Sequence, residues 1–257
     1  MALHTAPSLE TRELTIRFGG HVAVDGVSCA FVPGTLTAIV GPNGAGKTTY
    51  FNLVSGQLHA SAGAVLVAGE DVTRLPPSAR TRKGLGRAFQ LTNLFPRLTV
   101  LENVRLAVQS RARAGWNLLG LWSSRRDLIA QAEALLEQVR LQDKRSLTAG
   151  ALSHGDQRKL EVALLVALEP QVFMFDEPTA GMSVDEVPTV LDLIHAIKRR
   201  GDRTILLVEH KMDVVRSLAD RIVVLHNGAL VADGEPAAVI ASPIVQEAYL
   251  GLEPGHA

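Results

Sequence analysis

Apolar and polar residues alternate from Leu14 through Ile16 to Phe18, which predicts a strand that Gly19-Gly20 breaks. Residues 22–31 carry two further short strand-like runs. Pro33-Gly34 then turns the chain into the short apolar, partly β-branched run 35–40. Residues 51–55 continue as a helix, 64–67 form another strand and 68–71 a turn. The middle third changes period. Residues 86–89 predict a short strand ending at Gln90, and Thr99-Val100-Leu101-Glu102 is a capping box opening a helix from about Val100 to Ser110. Leu128, Ala132, Leu135, Leu136 and Val139 share one face of a second helix. Residues 111–126, with Trp116, Trp122 and four arginines, lie between the two. This region is expected to be a helical insertion at the side of the main sheet.

The last third alternates strand and helix. Leu160, Ala163, Leu164, Ala167 and Leu168 form a helical face, and residues 172–175 an apolar strand ending in Asp176-Glu177. Val187, Val190, Leu191, Ile194 and Ile197 mark the next helix, and 204–208 a strand ending in Glu209-His210. Residues 222–225 and 229–231, joined across Asn227-Gly228, predict a hairpin. Such alternation implies an α/β fold with a mainly parallel sheet covered on both faces. Chemistry in these sheets gathers at the carboxyl ends of the strands.

With 257 residues the chain has ample material for a core, and 47% of it is apolar. Twenty-six basic and 26 acidic residues balance, so no global charge argues for nucleic acid. The one cysteine, Cys29, excludes a disulfide framework within the chain and is expected to be a small core residue. The first ten residues lack a charged head followed by an apolar stretch, so no secretory signal is expected. The longest apolar run, 162–168, falls far short of a bilayer span. The expectation is a protein soluble by itself, with any membrane role supplied by a partner.

The chemistry centres on Gly41-Pro42-Asn43-Gly44-Ala45-Gly46-Lys47-Thr48-Thr49, which fits G-x-x-x-x-G-K-[ST] between a predicted strand and a predicted helix. Glycines let successive N–H groups converge on one phosphate, and the helix start adds its positive dipole end. Lys47 is placed to reach the β- and γ-phosphates and the Thr48 hydroxyl to hold Mg²⁺. Asp176 ends an apolar strand, where a carboxylate can hold Mg²⁺ through water; Glu177 is placed to take a proton from an attacking water. His210 is a candidate contact to the γ-phosphate, and Gln90 a candidate sensor of that phosphate or its metal. Phe18 is placed to stack on an adenine ring, and a strand phenylalanine facing the core fits the same pattern. In Leu152-Ser153-His154-Gly155-Asp156-Gln157 a Ser and a Gly precede an amphipathic helix. That is a second anion-binding helix N-terminus, and equally a plain serine cap.

Taken in order, these residues resemble an ABC-transporter ATPase subunit over nearly the whole chain, from about Leu14 to Gly251. The resemblance implies a P-loop NTPase (RecA-like) core with an antiparallel β subdomain and an inserted α-helical subdomain. Its divisions would be 1–90, 91–151, 152–241 and 242–257. It implies ATP and Mg²⁺, with Phe18, Asn43, Gly44, Ala45, Gly46, Lys47, Thr48 and Thr49 on the nucleotide. Thr48, Gln90 and Asp176 would serve the metal, and Glu177, His210 and Gln90 catalysis. Ser153, Gly155 and Gln157 would meet the nucleotide of a partner in a two-subunit ATP sandwich. The family's commonest signature has Gly where His154 stands, and the D-loop, residues 181–185, is also less usual.

Finer features, among them residues 89–104, Val208-Glu209-His210 and the tail 247–251, resemble the ATPases of branched-chain amino acid importers. The partners then implied are a second ATPase subunit, two membrane permease subunits and, indirectly, a periplasmic or extracellular solute-binding protein. Nucleic acid is not among them. The location implied is the cytoplasmic face of the inner membrane, peripheral through the permease. Related alternatives are a urea or amide importer and a lipopolysaccharide exporter. More distant ones are a non-transport ABC ATPase and a stand-alone P-loop kinase.

Overall fold

The computed structural model describes residues 6–88, 94–112, 126–243 and 245–246. The chain divides into two compact units. The first holds the described residues of Met1–Arg87, Gln171–Glu177 and Lys198–Ala257; the second those of Ala88–Pro170 and Pro178–Ile197.

In the first unit, the strands β1 (Leu9–Phe18), β2 (His21–Phe31), β4 (Ala62–Val67) and β5 (Glu70–Asp71) form a sheet of order β2-β1-β4-β5 with antiparallel pairing. The two runs expected in 22–31 are one continuous strand. Bulges in its pairing with β1 are bridged by side chains: the Gly26 N–H donates to Thr15 Oγ1 (2.9 Å) and the Glu13 N–H to Ser28 Oγ (2.8 Å). Those bonds replace ladder bonds that the bulges interrupt, so pairing resumes beyond them. Likewise Glu70 and Asp71, expected in a turn, return as β5 because Ala68 and Gly69 alone reverse the chain at positive φ.

The second sheet has the order β10-β9-β3-β8-β7-β6. It contains β3 (Leu36–Val40), β6 (Leu85–Ala88), β7 (Val172–Asp176), β8 (Thr204–Val208), β9 (Arg221–His226) and β10 (Ala229–Gly234). β3 runs parallel to both β8 and β9, and β7 parallel to β8; β10 pairs antiparallel with β9 through the Asn227-Gly228 turn. Every residue of β3, β7 and β8 is buried, which is why these strands read as apolar runs without alternation. Ile39 and Val223 face one core cluster with Leu14, Val27, Tyr50 and Phe51. Their neighbours Ala38, Val40, Ile222 and Val224 face another, with Val215 and Val239.

Helix α1 (Lys47–Ser55) follows β3 and buries Tyr50, Phe51, Leu53 and Val54. Its C-terminal carbonyls are met by a buried cation from α2 (Pro77–Arg82). Arg80 Nη1 donates to the Leu53 and Val54 carbonyls, both at 2.7 Å. Positive charge at a helix C-terminus offsets the dipole and satisfies orphan acceptors. α7 (Met212–Leu218) and α8 (Pro236–Ile240) belong to the same unit, and Pro243, Val245 and Gln246 beyond them are also helical. α2, α7 and α8 are too short for a helical period to show in sequence.

The second unit contains α3 (Val100–Arg111), α4 (Arg126–Gln138) and α5 (His154–Leu168), and most of α6 (Val187–Arg199). The capping box at Thr99 is formed: Thr99 Oγ1 accepts the Glu102 N–H (3.1 Å) and Glu102 Oε2 accepts the Thr99 N–H (2.9 Å). Val104, Val108, Leu128, Ala132, Leu136, Leu160 and Ala163 are all buried, and α3 packs on both α4 and α5. α5 is buried more widely than one face, since Val162 and Leu165 are enclosed as well. Trp116 and Trp122 lie outside the described residues. Among the described residues no helix is long and apolar enough to cross a membrane.

Candidate functional site

β3 ends at Val40 and α1 begins at Lys47, so residues 41–46 form a loop over the N-terminus of a helix. Gly41 and Gly46 hold positive φ (153° and 96°) against neighbouring backbone. A β-carbon at either would overlap a carbonyl oxygen, of Leu225 and Ala23 respectively. The loop is also tied down by the β9–β10 turn, whose Gly228 N–H donates to the Ala45 carbonyl (3.1 Å). No side chain caps α1 at Gly46. Its first N–H groups therefore present positive ends to an anion. Lys47 is buried and folds back, with Nζ donating to the Gly41 (2.6 Å) and Pro42 (2.9 Å) carbonyls. Burial pulls the Lys47 ammonium below the usual lysine range, opposed by the charges of Glu177 and Asp176. Asn43 and Gly44 are exposed, Thr48 and Thr49 partly buried.

Asp176 stands at the C-terminal end of β7. Its Oδ2 accepts from Arg87 Nη2 at 2.6 Å, with both side chains almost fully enclosed. Its Oδ1 is buried and has no hydrogen-bond partner among the described residues. Glu177 follows in the left-handed region at φ 49°, its N–H held by the Val208 carbonyl at 2.9 Å. A non-glycine residue there stores strain, which recurs at functional sites. The end of β8 supplies the partner: His210 Nε2 lies 2.9 Å from Glu177 Oε1. Glu209 is buried, and its carboxylate accepts the His210 N–H at 2.8 Å. The fold thus brings Lys47, Asp176, Glu177 and His210 into one neighbourhood at the ends of adjacent strands. Phe18 is 50% exposed at the tip of the β1–β2 hairpin. Gln90 lies outside the described residues.

In the second unit, Ser153 is the N-cap of α5, its Oγ accepting the Asp156 N–H at 3.3 Å. Ser153 and His154 are exposed and Gly155 is buried. A β-carbon on Gly155 would overlap the Glu186 carboxylate. Glu186 Oε1 pairs with Lys159 Nζ (3.1 Å), and its Oε2 accepts the Ser183 N–H (3.1 Å) and hydroxyl (3.0 Å). Lys159 also pairs with Asp156 (3.0 Å), which Lys144 meets from the other side. Gln157 turns its amide to the Leu152 carbonyl (3.1 Å).

The family model described as ABC transporter matches residues 24–180. The chain belongs to the ABC transporter family. It is 38% identical to the high-affinity branched-chain amino acid transport ATP-binding protein BraF of Pseudomonas aeruginosa, over 95% of this chain and 98% of that protein. It is 37% identical to the protein of the same description, LivG, of Escherichia coli K12, again over 95% and 98%. Among solved structures, a nucleotide-free ATP-binding cassette from an ABC transporter superposes with a TM-score of 0.80 at 28% identity, covering 96% of this chain and all of that one. The ADP conformation of an ATP-binding cassette of an ABC transporter gives 0.79 at 29%, with the same coverage.

As an ABC cassette the chain is an ATPase, and the expected P-loop NTPase architecture holds. Sequence reasoning passed over two parts of this cassette. Arg87 sits in a strand whose four positions are all buried, and its pairing with Asp176 spans 89 residues of sequence. The Asp156–Lys159–Glu186 chain is half visible, because Asp156 and Lys159 are three apart on one helix. Glu186 reaches them only through the fold.

Proposed function

We propose that this cassette powers the import of branched-chain amino acids through a membrane permease, and that the residues above act as follows. The reading of the cargo is supported by 38% identity in an alignment that covers 98% of a protein named for that transport. Residues 41–49 cradle the phosphates of ATP, and Lys47 exchanges its two loop carbonyls for phosphate oxygens. Phe18 offers an exposed face to the adenine. The donor set suits Mg²⁺, a hard cation that takes oxygen ligands: the Thr48 hydroxyl and the free Oδ1 of Asp176, with Gln90 as a further ligand. Bound there, Mg²⁺ supplies charge neutralisation on the phosphates.

Glu177 takes the proton from the attacking water. His210 steadies that carboxylate and is the proposed contact to the γ-phosphate. Ser153, Gly155 and Gln157 meet the nucleotide held by a second ATPase subunit. Closure then requires ATP, because these groups lack their ligand without it. The assembly has two permease subunits and an external solute-binding protein, and the cassette works at the cytoplasmic face of the membrane.

Uptake of labelled leucine, isoleucine and valine tests the cargo in a strain lacking the gene. Uptake should fall and return with the wild-type gene but not with Lys47→Ala. Unchanged amino acid uptake with lost urea, amide or lipopolysaccharide transport would overturn it.

A further inference from the structure

Arg87 is among the most enclosed charges of the first unit. It occupies β6, beside the strand that ends in Asp176. The guanidinium divides its donors between two elements. Nη2 holds Asp176 Oδ2 at 2.6 Å. Nη1 faces Asn52 Oδ1 (2.7 Å) and Ser55 Oγ (3.0 Å) on α1, and Gln57 Oε1 (3.3 Å) just beyond it. Its carbon lies 5.5 Å from the Phe51 ring centroid. Burial lowers the Arg87 pKa from its usual value, although Asp176 supports the charge.

Stability alone accounts poorly for this arrangement. A buried ion pair seldom outperforms an apolar pair of similar volume, and it does so only when every lone pair is satisfied. Here Asp176 Oδ1 and Arg87 Nε are buried with no hydrogen-bond partner among the described residues. A buried carboxylate with one oxygen clamped and the other bare is a ligand held ready.

We infer that Arg87 is a positioning residue for the metal side of the nucleotide site. It fixes Asp176 by Oδ2, presents Oδ1 alone to the cation that accompanies ATP, and ties that carboxylate to the helix that opens on Lys47 and Thr48. The inference rests on the proposed role of Asp176 at Mg²⁺. Lysine is a poor substitute, because one ammonium cannot reach Asp176 and the α1 acceptors with a planar fork.

The test is nucleotide binding by the purified full chain, read by fluorescence of trinitrophenyl-ATP across a Mg²⁺ titration, with no turnover required. Variants are Arg87→Met, Arg87→Lys and Asp176→Asn, each checked for folding by circular dichroism. Partners of metal ligands typically change metal affinity about 10–100-fold. Arg87→Met should raise the Mg²⁺ concentration giving half the metal-dependent signal about tenfold, with metal-free binding changed less than about twofold. Arg87→Lys should fall between, and it carries the test if Arg87→Met does not fold. A Mg²⁺ midpoint unmoved in the folded Arg87 variants but lost in Asp176→Asn would leave Arg87 merely structural and overturn the inference alone. A midpoint unmoved in Asp176→Asn as well would overturn the metal role of Asp176, and the inference with it.

Discussion

At Gly46 a single added methyl group would strike the Ala23 carbonyl while forcing alanine to a φ of 96°. Positive-φ strain of this kind costs of order 1–3 kcal/mol. Gly46→Ala should therefore lower the melting temperature and abolish ATP binding together; a variant that binds ATP normally would contradict the loop geometry. Cys29 is buried, and burial pushes its thiol up to about 11. A thiol of ordinary unfolded pKa, about 8.5, ionises first in the unfolded chain. Its contribution to stability is thus complete below that value and is lost as pH rises towards the folded one. Thiol labelling at pH 8 should be slow in native protein and fast in urea, and equal rates would contradict the burial. The phosphate-loop residues were legible because their spacing is their chemistry. Arg87 was not, because nothing in its local sequence shows that it reaches Asp176, 89 residues away.

At the scale of elements, α5 carries the clearest pH dependence. Burial alone would raise the Asp156 pKa, and Lys144 and Lys159 outweigh it, holding it below the ordinary aspartate value. As pH falls, protons bind the unfolded chain first. The ion pairs therefore stabilise fully above about pH 4 and lose that contribution as pH drops through the folded value. Urea unfolding should show Lys159→Met less stable than wild type at pH 7, with the gap narrowing towards pH 3. A gap independent of pH would sink the ion-pair account. Strands β3, β7 and β8 were legible because apolar runs bounded by turns suit a parallel sheet. The continuity of β2 was hidden, since it depends on the Thr15 hydroxyl accepting the Gly26 N–H across a bulge. Short helices such as α7 carry too few turns to show a period.

At the scale of the whole molecule, order along the chain spoke more clearly than any one motif. A loop for phosphate, a capped helix, an acidic strand end and a histidine strand end are each weak signals alone, and the family match over residues 24–180 covers the first three. What order could not convey is contact across sequence distance, such as the 2.9 Å approach of His210 to Glu177 or the seat of Glu186 against Gly155. The proposed function belongs to an assembly with a permease, and is best tested there. Glu177→Gln should retain ATP binding while hydrolysis falls about 10²–10⁴-fold, the scale of a lost general base. The decisive measurement is to purify this tagged variant with ATP from its native membranes and identify the proteins held with it. Two permease subunits and a second ATPase should be recovered with it. Recovery of ribosomal or DNA-repair proteins, with no permease, would contradict the proposed function.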